Sequence, residues 1–366
     1  EKSCLFFFCV FMKKTLVLLL SVLVLASCTR NELGKSARTA KKLQTDLYCM
    51  TVNGSVGFEA FIDAGGASSA EEVSAYLGDY LSAGPFGKLE TKVSTGEFGC
   101  SALKIGHNTG GFLVGRNYDW DDCTTLIIRN IPSNGYASLS TVNLDFLGFG
   151  DGYKPEGMVN AFKAVVGVYV PMDGINEKGL VVADLMAGDD EVTNQNTSKK
   201  DLTTTTAMRL ILNTAANVDE ALEILRNYDM HSDIGTAHHL FLADAEGKSV
   251  AVEWVSGEIK VTESDVLNNH YLCEEKAGTA SGELSFVHES KLLEARNRSK
   301  GKMSSEELAD AMFEVIALPD GNYFGGTQWT IVYDCSQASA TWYFRRDRAT
   351  SYTFFAGSDI QEFNSK

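Results

Sequence analysis

One stretch of the chain, residues 99–120, constrains most strongly how the protein can fold. Cys100 follows a glycine, and residues 102–106 alternate between apolar and polar side chains in the way that is typical of a half-buried β-strand. The Thr-Gly-Gly sequence at residues 109–111 predicts a turn, and the apolar residues 112–115 predict a returning strand. The sequence therefore predicts a β-hairpin that begins at a cysteine.

The returning strand of this hairpin carries an arginine and an aspartate back toward the cysteine. Arg116 and Asp119 follow Cys100 by sixteen and nineteen residues. A nearby guanidinium lowers the pKa of a thiol and so favours the reactive thiolate. We interpret Cys100 as a nucleophile that is active only as the first residue of its chain, because its α-amine, with an ordinary pKa of about 8, then accepts and donates the proton. This interpretation requires a cut between Gly99 and Cys100.

Several short motifs resemble those of one enzyme superfamily. Cys-Ser-Ala at residues 100–102 and Gly-Arg-Asn-Tyr-Asp-Trp at residues 115–120 resemble the start of the choloylglycine hydrolase, penicillin V acylase and acid ceramidase superfamily, whose members are cysteine N-terminal-nucleophile (Ntn) hydrolases. Asn-Glu-Lys-Gly-Leu at residues 176–180 is similar to a motif of the choloylglycine hydrolases, and residues 328–334 look like the closing strand of the superfamily.

The resemblance implies both a fold and a reaction. The expected fold class is α+β, a four-layer αββα sandwich of two antiparallel sheets between helical layers, and the strand hairpins and paired helices in the sequence agree with it. The expected reaction is hydrolysis of a linear non-peptide amide C–N bond, as in an N-acyl amino acid, an aryl-acyl amide or a conjugated bile acid. The alternatives are an N-acyltransferase that uses the same acyl-enzyme and a binding lipoprotein without catalysis.

The matching positions also imply roles for individual residues. The resemblance assigns Arg116 to the support of the thiol and Asp119 to the orientation of the new α-ammonium. Asn269 matches the asparagine that donates a hydrogen bond to the oxyanion, with Asn268 as the alternative one position earlier. Met186 stands where the choloylglycine hydrolases have asparagine or tyrosine, so the sequence predicts different substrate contacts there.

A late active-site arginine of the family has no obvious counterpart in this chain. His288 stands near the expected place, and Arg296 and Arg298 are the remaining candidates. Together with the methionine at position 186, this departure disfavours bile salts as the substrate.

Other side chains are candidates for substrate contact or for an alternative mechanism. Phe146 and Phe149, in an apolar and glycine-rich stretch, are expected either to line an acyl pocket or to fill ordinary core. A Cys-His pair would need a histidine beside the nucleophile. Nothing in the sequence places one there, so we interpret the candidates as core or solvent-exposed histidines: His231, His238, His239 and His270, of which His270 adjoins Asn269.

The first 28 residues have the pattern of an export signal. A Met-Lys-Lys sequence at residues 12–14 precedes an apolar run over residues 15–24, and Leu-Ala-Ser-Cys at residues 25–28 matches a bacterial lipoprotein processing site. We expect residues 1–27 to be removed, with residues 1–11 a wrongly assigned start, and Cys28 to carry lipid. An uncleaved membrane anchor is the alternative. The expected location is the periplasmic side of the membrane or the cell surface.

The sequence shows no boundary between two domains in the remaining chain, but its segments are expected to have different functions. Residues 28–45 are polar and basic and are expected to form a tether. Residues 46–99 are expected to be a folded pro-segment or small subunit, and residues 100–366 the catalytic domain. Within them, hydrophobic periodicity and capping residues predict helices over residues 69–81, 202–228 (two helices) and 304–318, and a buried strand over residues 165–170.

Composition excludes some classes of partner. Of the 366 residues 44% are hydrophobic, enough for a large core, and the formal net charge of −16 would repel a nucleic acid. The expected partners are a small amide substrate, the membrane through the lipid on Cys28, and, by family analogy, another copy of the chain. No Cys-x-x-Cys or His/Cys cluster suggests a metal, and no cofactor is expected. Four further cysteines allow three disulfide pairings or remain buried free thiols: Cys49, Cys123, Cys273 and Cys335.

Overall fold

The computed structural model describes most of the chain in six stretches and a short terminal strand. These are residues 32–82, 100–150, 152–188, 191–233, 235–319 and 325–357, and the backbone of residues 364–365. The predicted export signal, the lipidation site at Cys28 and the glycine of the proposed cleavage site lie outside the described residues.

Eight α-helices are described, and short 3-10 helices accompany them. The α-helices are α1 (containing residues 32–37), α2 (Phe58–Asp63), α3 (Ala70–Ser82), α4 (Gly157–Ala164), α5 (Thr204–Thr214), α6 (Val218–Asn227), α7 (Glu283–Arg298) and α8 (Ser305–Phe313). The 3-10 helices span Leu144–Leu147, Val165–Tyr169 and Glu274–Lys276.

The described strands form two large sheets and one small pair. In chain order they are β1 (Lys41–Gln44), β2 (Leu47–Asn53), β3 (Cys100–His107), β4 (Phe112–Asp119), β5 (Thr125–Ile131), β6 (Ser138–Asn143), β7 (Asp173–Asn176), β8 (Val181–Met186), β9 (Lys200–Thr203), β10 (Tyr228–His231), β11 (His238–Ala243), β12 (Ser249–Val255), β13 (Glu258–Glu263), β14 (Val266–Leu267), β15 (Lys302–Met303), β16 (Thr327–Asp334), β17 (Ser339–Phe344), β18 (Tyr352–Phe355) and β19 (Asn364–Ser365).

Both large sheets are mainly antiparallel. Sheet I has the strand order β1-β2-β5-β6-β7-β8-β11-β12-β13, with only the β2–β5 pair parallel. Sheet II has the order β14-β3-β4-β16-β17-β18-β19, and the short β15 also pairs with β3. Strands β9 and β10 form a separate parallel pair. The nucleophile hairpin, β3 and β4, therefore lies next to β16, the strand predicted over residues 328–334.

The predicted hairpin is present, and its register brings the key residues together. Cys100 is the first residue of β3 and lies opposite Tyr118 of β4, while Arg116 lies opposite Ala102. Close packing explains the glycine before the arginine: a Cβ atom on Gly115 would lie 2.6 Å from the side chain of Met312 in α8. The hairpin therefore lies close under α8 at the position of the motif.

Three hydrophobic cores define four layers. Between the sheets, aromatic side chains of sheet II such as Trp329 pack on apolar residues of sheet I such as Phe241. The outer face of sheet I packs on helices α5 and α6, for example through Ile211. The outer face of sheet II packs on α7 and α8 through Leu292 and Met312. This arrangement is the predicted αββα sandwich, and the fold class is confirmed.

The segment before the nucleophile contributes two strands to sheet I. Strand β2 pairs with β5, and α3 packs its apolar face into the same core. The prediction of a tether is wrong for residues 32–45, because these residues form α1 and the edge strand β1, with Leu33 and Ala37 buried. Burial of such side chains favours the folded state, so the segment is held by sheet I.

Two elements differ from the sequence-based expectation. The stretch 165–170 was predicted as a buried strand, but Val165–Tyr169 form a 3-10 helix that extends α4, since a short buried apolar run does not distinguish a strand from a helix. Helix α7 was not predicted, because several of its apolar side chains face outward and blur the helical period. The helix predicted over residues 304–318 ends at Phe313, and its capping box at Ser304 and Glu307 is confirmed.

The described cysteines are all free and buried: Cys49, Cys100, Cys123, Cys273 and Cys335. Of the two alternatives for the four cysteines beyond the nucleophile, the structure therefore has free thiols. In the described part of the chain, no helix combines the length and the apolar character that a membrane span requires.

Candidate active site

Cys100 lies at the floor of a cavity, at the edge of the core between the two sheets. Its side chain is 5% exposed, and its backbone N–H donates a hydrogen bond to Asn269 Oδ1. Burial raises the pKa of the Cys100 thiol, and the charge and hydrogen bond of Arg116 act against this increase. Among the groups around the thiol, the arginine is therefore the one whose charge most favours the thiolate.

Arg116 is wholly buried and is held on several sides. Its Nη2 donates to the backbone oxygen of Asp184 at 2.5 Å, and its Nη1 donates to the backbone oxygen of Asn117. Its Nε lies 3.8 Å from Asp173 Oδ2. Burial opposes the charge of the guanidinium, but the Cys100 sulfur and the surrounding carboxylates, Asp173 foremost, raise the pKa of Arg116. The cation is thus permanent and faces the thiol.

Asp173 was not predicted as part of this site. It is the first residue of β7, in sheet I, and it faces sheet II. Trp329 Nε1 donates to its Oδ2 at 2.8 Å and the Tyr333 hydroxyl to its Oδ1 at 2.9 Å. Its carboxylate therefore links Arg116 to β16, the neighbour of β4. The signal in the sequence is an aspartate that stands three residues before the Asn-Glu-Lys-Gly-Leu motif, in a largely apolar stretch.

Asp119 is the last residue of β4, at the same end of the hairpin as the nucleophile. The Thr327 hydroxyl donates to its Oδ1 at 2.5 Å, while its Oδ2 is buried and has no hydrogen-bond partner among the described residues. Burial raises the pKa of Asp119 to about 7, although Thr327 and Arg116 act in the opposite direction. A buried carboxylate oxygen without a partner is costly, so this atom is suited to accept from a donor that arrives later.

The two adjacent asparagines face different parts of the structure. Asn269 accepts from the Cys100 N–H, and its Nδ2 donates to the backbone oxygen of Met186 at 2.8 Å. Asn268 donates from its Nδ2 to Ser101 Oγ at 2.8 Å. Asn269 is therefore the one in contact with the nucleophile's nitrogen, and Met186 holds its amide in place.

The cavity above Cys100 has a volume of about 890 Å³ including its open mouth. Its walls are mainly apolar, with Tyr118 and Trp120 continuing from β4. Of the three residues predicted to contact substrate, Phe146 and Met186 are in the lining and Phe149 is not; Phe149 packs against Tyr153. The lining consists of Ala70, Val73, Ser74, Leu77, Cys100, Tyr118, Trp120, Phe146, Leu147, Val170, Met172, Asp184, Leu185, Met186, Thr205, Asp233 and His238.

One wall of the cavity comes from the segment upstream of the nucleophile. The four residues that α3 contributes to the lining are spaced at helical intervals: Ala70, Val73, Ser74 and Leu77. A ligand that fills the cavity would therefore contact residues on both sides of the proposed cleavage point.

The cavity lining contains a cluster of polar side chains that was not predicted from the sequence. His238 Nδ1 lies 2.9 Å from both carboxylate oxygens of Asp184, and both residues line the cavity together with Asp233. Asp184 is an acidic residue inside the apolar strand β8, and that position was the signal that could have revealed the group. The other three candidate histidines lie elsewhere and have their own partners: His231 with Asp201, His239 with Glu253, and His270 with Ser285 and Glu289.

The two candidate late arginines are also outside the cavity. Arg296 forms an ion pair with Asp265 at 2.7 Å, and Arg298 forms one with Glu314 at 3.2 Å. Both arginines belong to α7, in the outer helical layer. Among the described residues, no group of three or more His, Cys, Asp or Glu side chains is arranged to hold a metal ion.

Comparison with known proteins identifies the family and the fold. The family model "AAT: Acyl-coenzyme A:6-aminopenicillanic acid acyl-transferase" matches residues 106–349, well over half of the chain, and begins just after the nucleophile. A mutant of the conjugated bile acid hydrolase from Clostridium perfringens is similar in structure, with a TM-score of 0.53 and 17% identity over 73% of this chain and 96% of that one. No curated protein matches in sequence.

A second solved structure is similar at a lower score. The penicillin V acylase from Agrobacterium tumefaciens has a TM-score of 0.49 and 17% identity, and the match covers 70% of this chain and 85% of that one. The matching family model and the fold shared with the bile acid hydrolase agree with the predicted superfamily, and the family that the model describes is one of enzymes. The chain belongs to the acyl-coenzyme A:6-aminopenicillanic acid acyl-transferase family.

Proposed function

We propose that the protein hydrolyses a linear non-peptide amide through a thioester on Cys100, after the chain is cut between Gly99 and Cys100. One observation carries the proposal: the nitrogen and the thiol of Cys100 lie between Asn269, Arg116 and Asp119 at the floor of an apolar cavity. A cut at this point converts a backbone amide into an α-amine without moving the residue.

The new α-amine would have partners in place. Asn269 Oδ1 already accepts from the nitrogen of Cys100, and the unpartnered Oδ2 of Asp119 would accept from an ammonium in its vicinity. An ammonium beside Asp119 would also favour the ionised carboxylate, whose pKa burial now raises to about 7. These contacts would hold the amine in the orientation that proton transfer to and from the thiol requires.

The first half of the reaction would acylate the cysteine. The Cys100 sulfur, stabilised as a thiolate by Arg116, attacks the amide carbonyl, and the C–N bond then breaks. The departing amine takes its proton from the α-ammonium, so the products of this step are a thioester and a free amine. The Asn269 Nδ2, which Met186 orients, would donate to the oxyanion, and loss of one such donor typically costs about 10²–10³ in rate.

The second half would release the acyl group. The α-amine removes a proton from water, the hydroxide attacks the thioester, and the sulfur leaves as the thiolate, which yields a carboxylic acid. An acceptor amine in place of water would give a new amide and an acyltransferase. The matching family model, which is named for an acyl-transferase, is the observation that favours this second candidate.

The apolar lining of the cavity supports binding of the acyl part of the substrate. Trp120, Phe146, Val73 and Leu77 form apolar walls that suit an alkyl or aryl acyl group. An N-acyl amino acid or an aryl-acyl amide meets this requirement. Met186 also lines the cavity, so it would contribute a substrate contact that differs from that of the asparagine or tyrosine in the choloylglycine hydrolases. We do not extend the proposal to bile acids.

The upstream segment would stay with the catalytic domain after the cut. Strands β1 and β2 and helix α3 are part of sheet I and its core, and α3 lines the cavity. We propose that residues 28–99, which include the predicted small subunit of residues 46–99, remain bound as one small subunit. If Cys28 carries lipid after export, this subunit would hold the enzyme at the periplasmic side of the membrane or at the cell surface.

Intact mass and N-terminal sequencing of the purified protein test the proposal. We expect two chains, one of which begins at Cys100, and we expect Cys100→Ala to remain uncut and inactive. A panel of N-acyl amino acids and aryl-acyl amides, with and without an added amine, would give free acid for a hydrolase and a new amide for a transferase. A single unbroken chain with full activity, or full activity of Cys100→Ala, would overturn the proposal.

A further inference from the structure

Four polar residues share one end of the otherwise apolar cavity. Asp184, Thr205, Asp233 and His238 all line it, and we call this group the acidic corner. We propose that the acidic corner binds a protonated amine that the substrate carries in addition to its scissile amide. The inference deepens the proposed function and rests on it, since it assumes that the cavity above Cys100 holds the substrate.

The charges of the corner are close together and do not cancel. His238 Nδ1 contacts both oxygens of Asp184 at 2.9 Å. Burial opposes the charge of His238, but Asp184 and Asp233 raise the pKa of the imidazole. When all three side chains are ionised, the one positive charge of His238 is outnumbered by the two negative charges of Asp184 and Asp233. Arg116 also lies close to Asp184, to whose backbone oxygen it donates, but its charge is shared first with Cys100 and Asp173.

The second carboxylate is fixed by the start of a helix. The backbone N–H of Thr205, in the first turn of α5, donates to Asp233 Oδ2 at 2.7 Å. Burial raises the pKa of Asp233, which shows that its surroundings do not compensate the charge fully. A bound cation would remove this imbalance, because an opposite charge favours the ionised carboxylate.

An unpartnered hydroxyl supplies independent support. Thr205 is 5% exposed and lines the cavity, yet its Oγ1 has no hydrogen-bond partner within the described part of the chain. Buried hydroxyls are normally hydrogen-bonded, so such an atom marks a position where a ligand supplies the partner. A hydroxyl oxygen and two carboxylates together form a set of acceptors.

The chemistry of this set favours one type of ligand group. An ammonium has three N–H donors and one positive charge, and it matches acceptors with an excess of negative charge. A carboxylate or sulfonate would face two carboxylates in a cavity of low dielectric and would be repelled. A neutral hydroxyl could donate only one hydrogen bond. The apolar walls would meanwhile take up the hydrocarbon part of the same ligand.

Binding of three matched probes tests the inference without any chemical step. Isothermal titration calorimetry would compare n-octylammonium, 1-octanol and octanoate, which share the alkyl chain and differ in the head group. We expect octylammonium to bind at least tenfold more tightly than octanol and octanoate to bind most weakly. Leu77→Trp, which fills the apolar part of the cavity, should weaken all three and thereby locate the binding.

Two variants test the corner itself. Asp233→Asn should reduce the preference for octylammonium over octanol to less than threefold, and Thr205→Val, which replaces the hydroxyl by a methyl group of similar size, should reduce it in part. Asp63→Asn removes an exposed carboxylate that does not line the cavity and serves as the control, with unchanged preference. Thermal unfolding of each variant would establish that it is folded.

Either of two results would overturn the inference. One is equal or tighter binding of octanol or octanoate in the unmodified protein, and the other is an unchanged preference in the folded Asp233→Asn variant. Because the probes contain no amide, failure of the proposed hydrolysis leaves the expected binding order intact, and the two failures can be told apart.

Discussion

Arg116 and Asp173 form an ion pair that is completely shielded from solvent. Arg116 Nε lies 3.8 Å from Asp173 Oδ2, and both side chains are 0% exposed. Trp329 and Tyr333 donate to the two oxygens of the carboxylate. Strand β7 of sheet I therefore fixes the cation that faces the nucleophile of sheet II, and the packing of the two sheets determines the geometry of the site.

Asp173 is therefore a positioning residue, and its replacement should affect stability and activity together. In Asp173→Asn the guanidinium loses its buried counter-charge, and breaking such a pair typically costs about 3–5 kcal/mol. We expect a decrease of that order in the free energy of unfolding, measured with urea, and a lower kcat. The control is Asp46→Asn, which breaks partly exposed ion pairs and should cost about 1 kcal/mol or less. Equal small losses in both variants would contradict the assigned role.

Arg116 should control the ionisation of the thiol. Its charge and hydrogen bond oppose the increase that burial causes in the pKa of Cys100. In Arg116→Gln we expect the pH at which iodoacetamide labels Cys100 half-maximally to rise by one unit or more, with a smaller rise in Arg116→Lys, because lysine keeps the charge. Peptide mapping by mass spectrometry would follow the labelling.

The matched control for this measurement is Arg298→Gln, whose arginine forms an exposed ion pair on α7. Its labelling profile should equal that of the unmodified protein. A labelling profile of Arg116→Gln that stays in place or moves to lower pH would show that another group stabilises the thiolate.

The sequence predicted the local parts of the site because local patterns encode them. Alternation and a Thr-Gly-Gly turn defined the hairpin, so the approach of Arg116 to Cys100 followed from register alone. The cap at Ser304 was also predictable from the sequence, since its hydroxyl accepts from an N–H only three residues away.

The parts contributed by long-range packing were not predicted. Asp173 and Asp184 lie on strands of sheet I, and their meeting with Arg116 depends on how the two sheets stack, which no local pattern specifies. His238 is one of two adjacent histidines at the start of β11. Only the pairing of β11 with β8 on one side and β12 on the other shows that this one meets Asp184 while His239 meets Glu253.

Asp119 gives the uncut protein a distinctive dependence on pH. Burial raises the pKa of its carboxyl from 3.8 to about 7, so the folded chain holds the proton more tightly than the unfolded chain. The resulting stability is complete below pH 3.8 and is lost as the pH rises toward 7, by roughly 4 kcal/mol at most. We expect uncut Cys100→Ala to lose stability across this window in urea unfolding experiments.

The same measurement on two further proteins isolates the effect. Cys100→Ala combined with Asp119→Asn should lack this loss, because the amide does not titrate. The cut protein should also lack it, since the α-ammonium would keep the carboxylate ionised. A parallel loss in the double variant would assign the pH dependence to another buried group.

The wall formed by α3 should determine which acyl groups are accepted. Leu77 is buried in the cavity lining and lies upstream of the proposed cut. Leu77→Ala would enlarge the cavity and is expected to raise kcat/KM for longer acyl groups relative to shorter ones by about tenfold, with a loss of stability of about 2–5 kcal/mol. A series of N-acyl amides of increasing chain length would measure the ratio.

A control from the same core separates selectivity from stability. Leu222 is equally buried and packs in the core of sheet I, but it does not line the cavity. Leu222→Ala should therefore lose a similar free energy of unfolding and keep the original order of acyl preference. If both variants shift the preference alike, or if Leu77→Ala leaves it unchanged, the upstream segment has no part in substrate selection. A change confined to Leu77→Ala would show that the small subunit remains in place during turnover, since a dissociated α3 could not discriminate between acyl chains.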